Sequence, residues 1–555
     1  MTRTASSQKP KLSKIESAEN DSSGRAFVTR SGIDLPAENF TAETLRGWDP
    51  ALKLGAPGEY PYTRGIHADM YRKRPWTIRH NAGFGSGEDT NALFKYLFKN
   101  GLTGLNLATD LPTQMGIEPD DPRGQFEAGR VGVALSTLED MERLYDGIPL
   151  DQVSTSTAHN GMAIVFLAQY VLAAQAQGVP PSAIRGTVQN DILKEILARG
   201  TYIFPPRPSI RLAGDVIEWC INNAPKFNPI SVSACHMQQA GATHIQSFAY
   251  TFANAQVYLD ELIRRGYSVD QVAPLFSFLI PSTVNFFEAA ANHRAARRLW
   301  ASILREKYGA KDPRSWMLRA ATAGDQTELT AAQPLNNLAR ITLHCLGAAL
   351  GGSQSVILAA YDEAFDIPTE KSFRATLMAQ NIVQRESGVA DVVDPLAGSY
   401  YVEWLTDRSE QEMRAILQKI ADAGGMVKAI EAGIVQRDIA RQAYEEERRI
   451  QSGQKARVGV NCLVVKEEEG GMEHETFSVD PDLGRRHIER LKEIRRQRDQ
   501  GRLTQSLKEL KKAAADESQN LVPHVMEAVR RMATGGEIAG VLREVFGTYK
   551  PPTGV

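Results

Sequence analysis

Short β-prone runs alternate with longer helix-patterned stretches from residue 76 to residue 360, and this alternation most constrains the fold. It is typical of a parallel sheet covered by helices, because parallel strands need long crossover connections. The β-prone runs number about eight: 76–81, 104–109, 153–157, 185–189, 230–235, 275–280, 317–321 and 355–359. Eight runs favour an α/β fold of the (β/α)8, or TIM, barrel type.

A doubly wound open sheet is the alternative fold. A sheet of that kind would carry a Gly-rich phosphate loop directly after its first strand. The segment 82–89, AGFGSGED, is rich in glycine but does not match GxGxxG. The barrel is therefore favoured over the open sheet.

Changes in composition divide the chain into three regions. Residues 1–59 are expected to form a partly flexible N-terminal arm, because residues 1–25 are rich in Ser, Lys and Glu and have little to bury. Residues 60–405 are expected to form the barrel. Residues 406–555 contain long charged helices and are predicted to be a mostly helical extension that contacts a partner.

Charge and cysteine content exclude several classes of protein. Lys and Arg total 64 against 66 Asp and Glu, a net charge of -2, so no basic field is present to attract nucleic acid or an anionic membrane. The four cysteines form no CxxC pair, which argues against zinc-ribbon and disulfide scaffolds. No signal peptide or membrane-spanning run is apparent. We predict a cytoplasmic protein without a metal site.

Polar residues end several of the predicted strands. Arg79 and His80 end the first, Gln189 and Asn190 the fourth, and His236 follows the fifth. Since the carboxyl ends of barrel strands surround the active site, we expect these side chains to converge there. The alternative is that they are loop residues that solvate the rim.

The segment 74–84, RPWTIRHNAGF, is the densest chemical signal in the chain. It places Arg74, Thr77 and Arg79 on one predicted strand and its entrance. A planar guanidinium binds phosphates and carboxylates through paired hydrogen bonds, so an anionic ligand is expected here. A structural salt bridge is the alternative.

Six segments, YPYTRG, RPWTIR, QNDILKE, TYIFPP, LGGSQS and VVDPLAGSYYVE, and more weakly VGVN, resemble the substrate-binding part of methylmalonyl-CoA mutases and their relatives, including mutases of the isobutyryl-CoA and 2-hydroxyisobutyryl-CoA type. The resemblance runs from about residue 60 to residue 406. It implies a (β/α)8 barrel threaded by coenzyme A, and an isomerase that rearranges the carbon skeleton of an acyl-CoA by radical chemistry with adenosylcobalamin.

The resemblance also implies roles for individual residues. His236 would donate a hydrogen bond to the thioester carbonyl, and Arg199 matches an arginine that holds the free carboxylate of methylmalonyl-CoA. The remaining assignments are Gln189 and Asn81 at the reacting group, Arg74, Thr77, Arg79, Thr187, Lys226, Ser277 and Arg319 on the acyl-CoA, and Glu363 and Gln354 facing the cofactor.

The cobalamin domain of this family carries an Asp-x-His-x-x-Gly motif, which this sequence lacks. A partial match at His80 has Ile78 in place of the Asp. The charged helices also leave no room for a further domain before residue 555. The resemblance therefore implies that adenosylcobalamin arrives on a separate small subunit, in a heterotetramer of two large and two small subunits. A GTPase reactivating chaperone is a further candidate partner.

Several pocket positions depart from the methylmalonyl-CoA mutase pattern. Asn81 and Cys235 stand where the family has tyrosines, and Leu275 stands where it has an arginine. Ala321 and Ala323 replace a histidine and a glutamine. Gln239 and Ala359 replace a glutamate and an asparagine. Fewer polar groups predict a roomier, less polar cavity. This favours a short or branched acyl group, with or without a hydroxyl, over methylmalonyl-CoA. A methylmalonyl-CoA mutase large subunit, supported by Arg199, and a non-catalytic CoA-binding paralogue are the alternatives.

Overall fold

The computed structural model describes residues 27–36, 38–465, 480 and 482–551. Its named strands run parallel to their neighbours in one sheet, in the order β5-β4-β3-β2-β1-β9-β8-β7-β6. The strands are β1 (Thr77–Ala82), β2 (Leu105–Leu107), β3 (Thr155–Ala158), β4 (Gly186–Gln189), β5 (Phe227–Asn228), β6 (Ile230–Ser233), β7 (Phe276–Ser282), β8 (Ala320–Gly324) and β9 (Ser355–Leu358).

The two ends of this sheet are halves of a single barrel strand. Only Pro229 separates β5 from β6, and proline interrupts a ladder because it has no backbone N–H. β5 pairs with β4 and β6 with β7, so the ring is completed through Pro229. The predicted (β/α)8 barrel is confirmed, and the doubly wound open sheet is wrong.

Helices cover the outside of the barrel. Those between and after the strands are Gly87–Lys99, Leu138–Leu144, Ala163–Ala176, Pro206–Asn223, His244–Arg264, Phe286–Ser302, Asn336–Leu350 and Glu370–Arg385. Shorter helices are Pro50–Lys53, Met70–Lys73, Leu111–Met115, Ile192–Lys194, Cys235–Gln239, Val269–Val272 and Pro313–Trp316. Towards the C-terminus follow Tyr400–Asp422, Met426–Glu431, Ile434–Gln451, Leu483–Gln497, Gln500–Ala514, Val522–Arg530 and Gly535–Phe546.

The predicted strand positions agree with the structure except at some ends. The largest difference is at β8, which begins three residues later than predicted because Met317 caps the helix Pro313–Trp316. The run predicted at 230–235 ends early, since Cys235 already begins the helix Cys235–Gln239.

The C-terminal helices share the core of the barrel. Leu503, Val525 and Leu542 belong to the same buried cluster as Phe94 and Phe166 of the barrel helices. The predicted helical extension is thus confirmed for its described part. The flexible segment predicted at residues 1–25 lies outside the described residues. Among the helices that the structure describes, none combines the length and the apolar character needed to cross a membrane.

Alternation along β1 separates two environments. Thr77, Arg79 and Asn81 face the inside of the barrel, whereas Ile78 and His80 pack outwards. A barrel interior is ordinarily filled with layers of branched aliphatic side chains. Here polar and small side chains take those positions and leave the interior open.

Candidate active site

A cavity of about 1270 Å³ runs along the barrel axis, and all nine strands contribute to its wall. His67 and Arg74 line it where the strands begin. Gln239, Gln326 and Glu363 line it where the strands end. The passage is therefore long enough to take an extended ligand from one end of the barrel to the other.

Most of the residues predicted from the sequence lie in the wall of this cavity. They are Arg74, Thr77, Arg79, Asn81, Thr187, Gln189, Arg199, His236, Ser277, Arg319, Gln354 and Glu363. Lys226 is not among them: it is exposed in the turn that precedes β5. Of the substituted positions, Leu275 and Ala359 also lie outside the wall.

The expected convergence at the strand ends holds for only some of the side chains. Arg79, Gln189 and His236 face the cavity. His80 instead packs against the ring of Phe373 outside the barrel, and the Asn190 amide donates to the carbonyl of Ala213. Neighbouring residues on a strand point to opposite faces, so adjacent pairs could not both face inwards.

Gln354 and Glu363 do not share an end of the cavity. Gln354 directly precedes β9, where its Oε1 accepts from the Ala320 N–H at 2.9 Å. Glu363 follows β9 and therefore lies at the opposite end. Of the two residues predicted to face the cofactor, Glu363 thus lies where the strands end and Gln354 where they begin.

Three arginines give the first half of the cavity a positive charge. The Arg79 guanidinium donates to the Ser154 carbonyl at 2.9 Å and to the Ser355 hydroxyl at 3.1 Å, and Arg319 donates to the Phe276 carbonyl at 3.0 Å. Within the described ranges, neither these two nor Arg74 has a carboxylate partner. Burial lowers the pKa of Arg79 and of Arg319 to about 10, so both remain charged at neutral pH. This charge is free to attract an anion.

His236 lies at the other end of the cavity as a neutral imidazole. Its Nδ1 is 3.1 Å from the Ser233 hydroxyl, and the Ser233 N–H donates to buried Asp191 at 3.0 Å. Burial, together with the positive charges of Lys194 and Arg199, holds the pKa of His236 well below its usual range. A neutral imidazole whose Nδ1 accepts from Ser233 can donate from Nε2.

Arg199 is partly neutralised by the chain itself. Its Nη1 donates to Gln114 Oε1 at 2.6 Å and lies 3.4 Å from Glu195 Oε1. Glu195 is fully buried and also accepts from the ammonium of Lys194. Residues Glu195–Arg199 form a π-helical turn, a geometry that is often found at functional sites.

A row of polar residues crosses five neighbouring strands, and only Asn81 and Thr187 of this row were predicted from the sequence. In register these are Asn81, Asn106, Ser156, Thr187 and Asn228, all in the cavity wall. The Asn106 amide donates to Asn81 Oδ1 at 3.0 Å, and the Asn228 amide donates to Thr187 Oγ1 at 3.0 Å. Polar residues at inward-facing strand positions were the signal that could have identified Asn106, Ser156 and Asn228.

Amide and carboxyl groups meet at the end of the cavity beyond the strands. Gln326 Nε2 donates to Glu363 Oε1 at 2.6 Å, and Gln239 Nε2 donates to Gln326 Oε1 at 3.2 Å. Burial raises the pKa of Glu363 to about 7. Nearby, Ala323, the second-last residue of β8, leaves space in the wall. These donors and acceptors suit the hydroxyl and amino groups of a nucleoside.

Comparisons with known proteins identify the family of the chain. Residues 28–548 match the family model described as methylmalonyl-CoA mutase. The chain is 43% identical to the 2-hydroxyisobutanoyl-CoA mutase large subunit of Aquincola tertiaricarbonis, over 93% of this chain and 92% of that protein. It is 42% identical to the methylmalonyl-CoA mutase of Escherichia coli, over 90% of this chain and 69% of the relative. For the mitochondrial methylmalonyl-CoA mutase of Homo sapiens the identity is 40%, over 89% of this chain and 66% of the relative.

Proposed function

The chain belongs to the methylmalonyl-CoA mutase family, and from that premise we propose that it is the large subunit of an adenosylcobalamin-dependent acyl-CoA mutase. One observation carries this proposal above the others. The cavity has unneutralised arginines where the strands begin and a neutral histidine where they end. An acyl-CoA has the matching polarity, with phosphates at one end and a thioester at the other.

Coenzyme A would enter at the arginine end. Arg74 and Arg319 offer charge-assisted hydrogen bonds to phosphate oxygens, and exposed Lys226 lies beyond the wall on the same side. Thr77, Thr187 and Ser277 offer hydroxyls to the pantetheine amides along the passage. The thioester would then reach the level of His236.

His236 would hold the thioester carbonyl. Donation from Nε2 to the carbonyl oxygen stabilises the partial negative charge that develops there as the acyl radical rearranges. Gln189 lies in the same part of the wall, and its buried Oε1 has no partner among the described residues. It is therefore available to orient the substrate beside His236.

Adenosylcobalamin supplies the radical chemistry when it is bound. The residues present fit its adenosyl part, because Glu363, Gln326 and Gln239 form a hydrogen-bonded group at the end of the cavity beyond the strands. The contribution of this chain is to bind the acyl-CoA, to orient its carbonyl and to exclude water from the reacting carbons.

A separate small subunit would carry the cofactor. The Asp-x-His-x-x-Gly motif is absent from these 555 residues, and a relative that aligns over 92% of its length is named a large subunit. Leu111 and Val131 are exposed apolar side chains in the wall at this end of the cavity. Such a rim suits a protein partner. We expect a heterotetramer of two large and two small subunits, with a GTPase chaperone for reactivation.

The acyl group of the substrate would be short or branched and uncharged. Arg199 already faces Glu195, and Asn81 and Cys235 leave space for a bulkier neutral group. Methylmalonyl-CoA is the second candidate substrate, because Arg199 remains in the cavity wall and its side chain is 28% exposed.

Turnover by the assembled enzyme tests both levels of the proposal. The purified chain is mixed with a cobalamin-binding small subunit and adenosylcobalamin, and acyl-CoAs are assayed for isomerisation. We expect isomerisation of a neutral short or branched acyl-CoA. If the chain binds the small subunit tightly but the complex turns over no acyl-CoA, the proposal that the chain is part of an enzyme is contradicted and a non-catalytic paralogue is favoured. Faster turnover of methylmalonyl-CoA than of every uncharged acyl-CoA would contradict the uncharged acyl group.

A further inference from the structure

We infer that Asn81 and Asn106 together recognise a hydroxyl group on the acyl chain of the substrate. This inference rests on the proposed function and narrows its substrate to hydroxyacyl-CoA esters. The two residues are register partners on β1 and β2, and both are half-buried in the cavity wall. The Asn106 amide donates to Asn81 Oδ1 at 3.0 Å.

The hydrogen-bonding capacity of this pair is only partly used. Each amide has two N–H donors and an oxygen that accepts two bonds. The single bond between them leaves the Asn81 N–H groups and the Asn106 oxygen facing the cavity, and no described residue supplies them with another partner. If the oxygen and nitrogen of both side-chain amides are interchanged, Asn81 becomes the donor and Asn106 the acceptor of this hydrogen bond. In either orientation the pair offers one donor beside one acceptor.

A hydroxyl matches this arrangement because it donates and accepts at once. A carboxylate only accepts, so it would meet a repulsive carbonyl oxygen at one of the two amides. An alkyl group would strip both amides of water without replacing the lost hydrogen bonds, which is unfavourable. The pair therefore selects a hydroxyl against both competitors.

The position of the pair also suits the acyl end of the ligand. Asn81 is the second-last residue of β1, on the side of the cavity where the strands end and where His236 lies. The other hydrogen-bonded pair of the same row is Thr187 and Asn228. Thr187 is the second residue of β4, and Asn228 is the second residue of the barrel strand that β5 and β6 form together, so both lie where their strands begin. Asn228 is therefore a matched control: an inward-facing asparagine in the same row, but near the CoA end.

Binding of acyl-CoAs to the full chain alone tests the inference without requiring turnover. Isothermal titration calorimetry would compare 2-hydroxyisobutyryl-CoA with pivaloyl-CoA, and 3-hydroxybutyryl-CoA with isovaleryl-CoA. Each pair differs only by a hydroxyl in place of a methyl group. We expect at least one hydroxyl ester to bind about tenfold or more tightly than its methyl analogue, since a site built for a hydroxyl rejects the analogue that lacks it. Methylmalonyl-CoA should bind more weakly than that ester.

The variants Asn81→Leu and Asn106→Leu should each reduce this preference to about onefold. Asn228→Leu should weaken all the esters by a similar factor and keep the preference, with thermal melting used to check that each variant is folded. Equal affinities within both ester pairs for the unchanged chain would overturn the inference while leaving a CoA-binding mutase intact. Binding of none of the CoA esters would overturn the proposed function as well.

Discussion

Two sets of polar groups lie on opposite sides of the barrel wall, and they differ in whether their hydrogen-bonding and charged atoms have partners within the protein. Inside, His236, Gln189 and Asn81 keep hydrogen-bonding capacity that faces the cavity. Outside, the charge of the fully buried Arg294 on the helix Phe286–Ser302 is neutralised, since Nη1 donates to Asp394 and Nη2 donates to Glu403 at 2.5 Å, although its Nε has no partner among the described residues. The comparison teaches that the outer groups stabilise the fold, whereas the inner groups are held ready for a ligand.

The largest effect should come from breaking the outer set. Arg294→Met leaves buried Glu403 without its cation and leaves Asp394 only the longer contact with Arg64 at 3.4 Å, which should lower the free energy of unfolding by about 3–5 kcal/mol. Chemical denaturation with urea measures this change. A loss below about 1 kcal/mol would mean that the outer ion pairs contribute little to stability, and would contradict the assignment of a stabilising role to the outer groups.

A change in the inner set should affect catalysis instead of stability. His236→Ala should slow turnover by roughly 100-fold or more, because the thioester oxygen loses its hydrogen-bond donor. The melting temperature should fall by much less than in Arg294→Met. Comparing kcat with the KM for acyl-CoA locates the loss, which should appear mainly in kcat. An unchanged rate would show that His236 does not act on the carbonyl.

His80 sharpens the comparison, since it lies on β1 beside Asn81 but points outwards. Burial lowers the pKa of His80 to about 4, against about 6.5 for an unfolded histidine. The folded protein therefore holds His80 in its neutral form without a stability cost above pH 6.5. As the pH falls from 6.5 towards 4, the unfolded chain binds a proton that the folded chain does not, so the free energy of unfolding decreases. By linkage this loss is about 2 kcal/mol between pH 6.5 and pH 5.

The variant His80→Leu removes that titration. Urea unfolding at pH 7 and pH 5 should show a smaller loss of stability for the variant than for the unchanged chain, by about that amount. Turnover at pH 7 should be much less affected than in His236→Ala. Identical losses between the two pH values would contradict the buried neutral state of His80.

The smallest effect is expected from a polar pair that neither the core nor the cavity encloses. Arg143 pairs with Glu88 at 2.7 Å, but its side chain is 42% exposed. Arg143→Met should change the unfolding free energy by no more than about 0.5 kcal/mol, because water and salt screen an exposed pair. A loss as large as that of Arg294→Met would show that burial does not distinguish the two arginines.

Much of the fold and part of the site could be predicted from the sequence. Short β-prone runs located each strand to within about three residues, since hydrophobic patterning is local. Polar strand ends pointed to Gln189 and His236, which line the cavity. His80 and Asn190 were misplaced, because a one-residue change in register reverses the face to which a side chain points.

The sequence by itself determined the order of the barrel elements, the family and part of the set of residues that line the cavity. Only the tertiary structure decided which polar groups satisfy each other. Arg294 meets Glu403 across 109 residues, and Asn106 meets Asn81 across 25. Such pairs leave no local pattern, because they form only when the helices pack and the ring of strands closes. The division between stabilising and ligand-facing groups is therefore a property of the closed barrel.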